Sequence, residues 1–473
     1  MENCKPNVFP FSTPNAFYAH DVATGKTIKI GRELFLYFSN NDSSEAAKKE
    51  LDAQQKIGNF LPIFPTIKSH PLTDYVEDIV NRTMSKITLQ VTQNCNFRCT
   101  YCPYTSNSTG MRTHNSKRMS LDTAKRAIDF ARDHCVDTSE FMVGFYGGEP
   151  TLEFELMKAI VEYSKQVLCG KKVEYNFTTN ASLISDEMAS FFEENGFVLV
   201  VSLDGPKRLN DRNRKLASGK GSAFDATMAS LQNIHDNHPK LFEYTTCNMV
   251  MDPSCDIDEY FGIVNDYPFL SNRIRVSILE DDHMENKIHA SSSFLEKNAY
   301  YDFLELLYTI NRFDIDLLPN VKVTDMSRTI EACYRDDEQA FSALGEEDFP
   351  GGQCIPGAHA PMVTVDGRIV VCERINEESR ALNIGSVFTG FDFAAIKRVL
   401  NAPGICGFKC KHCFAIKFCS VCVNDCIKGD DFSPVQVKKC DETRDGAEYR
   451  IRKRILLKEV AEFYPLSYLG ENK

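Results

Sequence analysis

Three cysteines, Cys95, Cys99 and Cys102, stand in the run TQNCNFRCTYCPY, a Cys-x3-Cys-x2-Cys arrangement that follows the apolar alternation of Ile87, Leu89 and Val91. Three soft thiolates on one short loop suit an iron-sulfur cluster. A four-iron cluster held by only three of them keeps one iron open for a small chelating ligand, and an open iron is a place for chemistry. The competing reading is a structural zinc site or a chance cluster. Zinc favours four protein ligands, typically in paired Cys-x2-Cys units, and a three-cysteine loop interleaved with Phe97 and Tyr101 fits that poorly.

A second cysteine field runs from 354 to 440. Its layout is Cys354-x12-Gly367-x4-Cys372, then Cys410-x2-Cys413-x5-Cys419-x2-Cys422-x3-Cys426, then Cys440. Cys406 is expected to be spare. Cys4, Cys135, Cys169, Cys247 and Cys255 stand alone and read as buried or incidental thiols. Glu373 directly follows Cys372; an acid there either moves a proton beside a cluster or is a plain surface carboxylate. His412, inside the cysteine unit, is expected beside the ligands or exposed, and not as a ligand itself.

The bulk numbers limit what else the chain can be. At 473 residues with 43% apolar content, two to three domains with a sizeable core are expected. The net charge of −12 argues against wrapping a nucleic-acid backbone. The one basic stretch, Lys438 to Lys458, reads as the solvated face of a terminal helix. The opening MENCKPNVFPF lacks signal-peptide features, and no run approaches the length of a membrane span. A reducing cytoplasm, with the 18 cysteines serving partly as metal ligands and not as a disulfide framework, is the expectation.

The elements that must position these residues lie between about 84 and 285. Strands are expected at 86–92, 141–146, 173–178, 197–202, 244–251 and 273–279. Helices are expected after the N-caps Ser120, Thr151 and Ser185. Six βα units imply a parallel sheet with right-handed crossovers, with ligands at the carboxyl ends of its strands. Every motif falls there: the cysteine loop after strand one; Gly147, Gly148, Glu149 and Pro150 after strand two; Thr179 and Asn180 at the end of strand three; Ser202 and Asp204 at the end of strand four. By itself Gly-Gly-Glu-Pro is a turn before a helix; behind this cysteine loop it gains weight as a site.

Together these residues resemble the radical S-adenosylmethionine (SAM) superfamily, whose fold is a partial (β/α)6 barrel, and the resemblance covers this whole segment. It implies a 4Fe-4S cluster on Cys95, Cys99 and Cys102, SAM on the open iron, and reductive cleavage to a 5'-deoxyadenosyl radical. Carried over by position, the Gly-Gly-Glu-Pro segment would bind the SAM amino group, Ser202 and Arg214 would contact ribose and carboxylate, and Tyr101 would lie beside the adenine through its backbone. Thr179, Asn180 and Asp204 complete the cofactor-binding set. The second cysteine field resembles the SPASM domain of peptide- and protein-modifying members, which implies two auxiliary 4Fe-4S clusters. Cys410, Cys413, Cys419 and Cys440 would hold the outer one, and Cys354 and Cys372 the inner one. Relatives have three residues between the one matching Cys419 and the further inner ligand; this chain offers Cys422 after two or Cys426 after six, and Cys422 is preferred. No cysteine closely precedes Cys354, Cys333 being the nearest, so the inner cluster is expected to keep an open iron able to take a substrate thiolate. Glu373 matches the place where sulfatase-maturing relatives carry an acid that serves as base.

Residues 14–56 read as a hairpin turning at Ala23 to Lys26 with two helices, and resemble the winged-helix-like element that captures leader peptides; a stability-only extension is the alternative. The expected organisation is a leader-recognition element at 1–80, the radical SAM barrel at 84–285, a bridging region at 286–350, a SPASM domain at 351–445 and a C-terminal helix at 446–473. The expected function is thioether formation in a ribosomally made Cys-rich precursor peptide, with flavodoxin or ferredoxin as reductant and neither nucleic acid nor membrane as partner. Carbon-carbon cross-linking and formylglycine formation on a sulfatase are the alternatives within the enzyme class. An iron-sulfur electron carrier or a zinc-stabilised scaffold is the alternative outside it.

Overall fold

The computed structural model describes residues 5–105, 112–279, 287–314, 343–351, 354–435 and 437–464. In chain order, β1 (Val8–Ser12), β2 (Phe17–Asp21) and β3 (Lys26–Ile30) form an antiparallel sheet, and β4 (Thr66–Ile67) follows as a short strand. The strands β5 (Lys86–Thr92), β6 (Glu140–Gly147), β7 (Lys172–Thr179), β8 (Phe197–Ser202), β9 (Thr245–Met251) and β10 (Ile274–Ile278) come next. After them come β11 (Glu347–Asp348), which pairs with β4, and β12 (Met362–Val363), β13 (Arg368–Val370), β14 (Asn383–Ser386) and β15 (Gly390–Phe391).

Two compact units divide the chain, one of Met1–Tyr75, Arg328–Cys354 and Lys397–Lys473, the other of Val76–Ser327 and Ile355–Ile396. This division differs from the expected boundaries, because residues 355–396 group with the barrel and residues from 397 onward with the N-terminal element. The reason lies in the second unit's sheet. Its order is β10-β9-β8-β7-β6-β5-β12-β13-β14-β15, so β12 adds in parallel to the β5 edge and the hairpin strands behind it continue the sheet. A barrel edge that would otherwise expose unpaired backbone is thereby covered.

From β5 to β10 every pairing is parallel. The strands match the expected positions to within about one residue, since each is a short apolar run closed by polar loop residues. β5 is buried on both faces, as a covered parallel sheet requires. Ser120 and Ser185 cap their helices through the amides of Thr123 and Met188. Thr151 does not. Pro150 opens a 3-10 turn, Pro150–Glu153, whose cap is Glu149, and the α-helix begins only at Phe154. The helix Ser292–Thr309, from the expected bridging region, packs Tyr301 against Phe261 and pairs Lys297 with Asp256 and Asp258, beside the end of β9. Cys333 lies outside the described residues.

In the first unit Asp21 closes the β2–β3 turn, accepting from the amides of Ala23 and Phe60 and from the Thr24 hydroxyl. Helices Arg32–Asn40 and Glu45–Lys56 follow the sheet. Strand β1 is missing from the sequence reading because Pro10 interrupts it; it is an edge strand, where proline is tolerated. The last helix, Val437–Ala461, starts nine residues before the expected 446 and carries Cys440 in its first turn. Its Ala447, Ile451 and Ile455 pack on Phe11, Tyr18 and Phe418.

Candidate active site

A cavity of about 260 Å³ opens at the carboxyl ends of β5 to β9, lined by Cys95, Cys99 and Cys102 together with residues from the next four strand ends. Burial pushes the Cys95 thiol up to about 12 and the Cys99 thiol to about 11. Iron binding would therefore displace protons from them. Cys95 Sγ accepts the Phe97 N–H at 3.3 Å. The loop is pinned from below by β6: Gly148 N–H donates to the Thr92 carbonyl and Glu149 N–H to the Asn94 carbonyl at 2.9 Å. A Cβ on Gly148 would lie 2.0 Å from the Asn94 oxygen, and one on Gly147, at φ +148°, 2.1 Å from the Thr92 oxygen. Both glycines are thus demanded by the approach of the cysteine loop itself.

Glu149 does not aim a free oxygen into the cavity. Its buried carboxylate accepts from the Thr151 amide and hydroxyl, the Thr179 hydroxyl and the Asn180 amide. Asn180 in turn donates to Asn96 Oδ1 at 2.8 Å, within the cysteine loop. Thr179, Asn180 and Glu149 therefore brace the loop from β7. On the other side Arg214 is buried, pairs with Asp204 at 3.0 Å and places Nη1 4.0 Å from Cys99 Sγ. Asp204 also accepts the Tyr101 hydroxyl at 2.6 Å and the Val250 amide. A positive charge is thus held against the thiols by a carboxylate that the β8 end supplies, and Ser202 lines the same cavity.

Three thiols converging on one cavity, with a buried guanidinium at its wall, fit a cluster with an open iron. Among the described residues no three His, Cys, Asp or Glu side chains sit at the spacing of a single bound ion. Residues 89–260 match the model of the radical SAM superfamily. This segment is a radical SAM domain. Over 142 residues, 30% of this chain and 46% of the relative, the chain is 35% identical to an uncharacterized protein of Methanocaldococcus jannaschii. Over 163 residues, 33% of this chain and 41% of the relative, it is 32% identical to a cysteine-type anaerobic sulfatase-maturating enzyme of Clostridium novyi. The chain spans less than half the length of these curated relatives. In fold it is similar to native anSMEcpe with bound AdoMet and Cp18Cys peptide, with a TM-score of 0.56 at 17% identity, covering 80% of this chain and 99% of that one.

The second unit holds polar residues that the sequence reading missed. Tyr104 and Tyr146 line its cavity. Arg112 stacks 3.8 Å over the Tyr104 ring and pairs with buried Glu377, to which Gln93 donates at 3.0 Å. Two signals were available: Tyr104 two residues after Cys102, and Tyr146 just before Gly147. Glu373 lies close enough to act on Tyr146, whose hydroxyl is pushed up to about 12 by burial first and the Glu373 charge second. Its Oε2 is buried without a hydrogen-bond partner.

In the first unit a second cavity of about 120 Å³ is lined by Cys410, Cys413, Cys419 and Cys440, the four thiols expected to act together. Cys406 lines it too. Cys422 is exposed and Cys426 buried. Cys354, exposed, belongs to the first unit and Cys372, half-buried, to the second. His412 packs on Phe64. No helix among the described residues is long and apolar enough to cross a membrane.

Proposed function

We propose that the chain is a radical SAM peptide maturase that joins a carbon of a ribosomally made Cys-rich precursor to a cysteine sulfur. The observation that carries the reading is the convergence of Cys95, Cys99, Cys102, Tyr146 and Arg214 on one cavity of a radical SAM domain, with the Glu373 charge acting on Tyr146. When bound, the SAM-loaded cluster supplies a 5'-deoxyadenosyl radical and the auxiliary clusters supply an acceptor for an electron. The chain's own residues hold and aim. Glu149, Thr179 and Asn180 fix the cysteine loop; Arg214, held in place by Asp204, would offer its charge to the SAM carboxylate, and Ser202 would meet the ribose.

Forming the carbon-sulfur bond breaks one C–H and one S–H. One hydrogen atom leaves in 5'-deoxyadenosine, the thiol proton leaves to a base, and one electron leaves to the acceptor. Glu373, with an unpartnered oxygen beside Tyr146, is the base in this reading. The precursor's leader would add as a strand to the N-terminal sheet, whose β1 and β3 are both edge strands. Flavodoxin or ferredoxin would supply the reducing electron. The fold-level likeness to a protein solved with a peptide supports a peptide substrate.

Formylglycine formation on a sulfatase is the second reading, favoured by the likeness to sulfatase-maturating enzymes. Anaerobically reconstituted protein with SAM and dithionite should release 5'-deoxyadenosine. Co-expression with a Cys-rich precursor should remove two hydrogens per link and leave the linked thiols unalkylatable. Mass loss with every thiol still alkylating would point to carbon-carbon bonding, and modification of a sulfatase without a leader to formylglycine formation; either result removes the thioether assignment.

A further inference from the structure

Cys406 falls outside both expected ligand sets of the second cysteine field, yet the fold does not leave it aside. It ends the turn Ala402–Cys406, directly ahead of Gly407–Cys410, and lines the same cavity as Cys410, Cys413, Cys419 and Cys440. Its position is fixed by close packing on both sides. A Cβ on Gly404 would meet the Phe349 ring at 3.2 Å, and one on Gly407 would meet Ile67 Cβ at 3.1 Å. Its Sγ accepts the Val435 N–H at 3.2 Å. Cys95 and Cys372 accept comparable bonds from Phe97 and Arg374 at 3.3 and 3.4 Å. Hydrogen bonds of this kind to the sulfurs tune iron-sulfur centres. Lys409 and Arg444 add positive charge to the cavity wall.

A four-iron cluster takes four thiolates, and this cavity presents five. We propose that Cys406 is a fifth ligand of the outer auxiliary cluster, able to take over an iron from one of Cys410, Cys413, Cys419 or Cys440; the assignment rests on reading that cavity as a cluster site. The exchange needs no redox partner. The incoming thiol gives up a proton, the outgoing thiolate takes one up, an Fe–S bond forms and an Fe–S bond breaks, and the iron oxidation states are unchanged.

The test uses the full chain, reconstituted anaerobically, with iron and sulfide counted per chain and the clusters resolved by Mössbauer spectroscopy. Cys410→Ala should keep the wild-type iron count, while Cys406→Ala/Cys410→Ala should lose the four irons of one cluster. Equal loss in the single and double variants, or none in either, overturns the proposal. Alkylation provides a second readout where the double variant does not fold: Cys406 should be labelled in wild-type holoprotein and protected in the Cys410→Ala holoprotein. Continued labelling of Cys406 in Cys410→Ala would sink it. A wild-type chain that accepts only the four irons of the Cys95–Cys99–Cys102 cluster would remove the cluster reading of the cavity, and the ligand assignment with it.

Discussion

Glu149→Gln tests how the cysteine loop is held. The wild-type carboxylate accepts four hydrogen bonds, at 3.2 and 2.7 Å from the Thr151 amide and hydroxyl, 2.7 Å from Thr179 and 2.8 Å from the Asn180 amide. Glutamine keeps the shape but turns one acceptor oxygen into an NH2 donor. If its oxygen takes the Oε1 place, three bonds persist in neutral form and the new NH2 faces the Asn180 N–H, donor against donor. Bonds to a charged group contribute ~1.5–3 kcal/mol and neutral ones ~1 kcal/mol, so three weakened bonds lose ~1.5–6 kcal/mol together. The stranded Asn180 donor adds ~1–3 kcal/mol. Burial pushes the pKa of Glu149 up, so removing its charge returns part of this loss. The expected net destabilisation is ~2–4 kcal/mol, read as a lower denaturation midpoint of the cluster-free chain at unchanged m-value. SAM affinity of the holoprotein should fall as well, because Asn180 also fastens Asn96. Stability within ~0.5 kcal/mol of wild type, with SAM affinity within twofold, would refute this bracing role.

Gly148→Ala should be harsher on activity than on folding. Its Cβ would overlap the Asn94 carbonyl at 2.0 Å, and relief requires moving the cysteine loop by roughly 1 Å, a misplacement that costs about 100-fold in rate; a SAM-cleavage rate within threefold of wild type would contradict it. His20, 3% exposed, is held down to about 4 by burial first and the Arg454 charge second. The unfolded chain, with the ordinary 6.5, binds a proton that the folded chain refuses. Stability is therefore full above about pH 6.5 and falls by up to ~3 kcal/mol as the pH drops toward 4. Denaturation midpoints across that window should slope less for His20→Gln than for wild type, and parallel slopes would count against the assignment.

The barrel was legible because its strands are apolar runs ended by polar loops, and because chemistry in such a sheet gathers at the carboxyl ends, where Cys95, Gly148, Asn180 and Ser202 all lie. What stayed hidden has particular causes. Pro10 masks β1 as a non-strand, and Pro150 with the Glu149 carboxylate moves the helix cap away from Thr151. Strands β12 and β15 are two residues long, too short to carry a period. The Arg112–Glu377 pair joins residues remote in sequence whose types alone suggest surface charges. Cys406 belongs to neither expected ligand set, and its place beside Cys410, Cys413, Cys419 and Cys440 shows only in the folded cavity.

Electron paramagnetic resonance of the dithionite-reduced holoprotein, with and without SAM, tests the central claim most directly. One cluster signal should shift on adding SAM, broaden further with SAM carrying isotopic label in its amino and carboxylate groups, and be missing from a Cys95→Ala/Cys99→Ala/Cys102→Ala chain whose other signals persist. A spectrum unchanged by SAM, with all clusters loaded, would contradict the account.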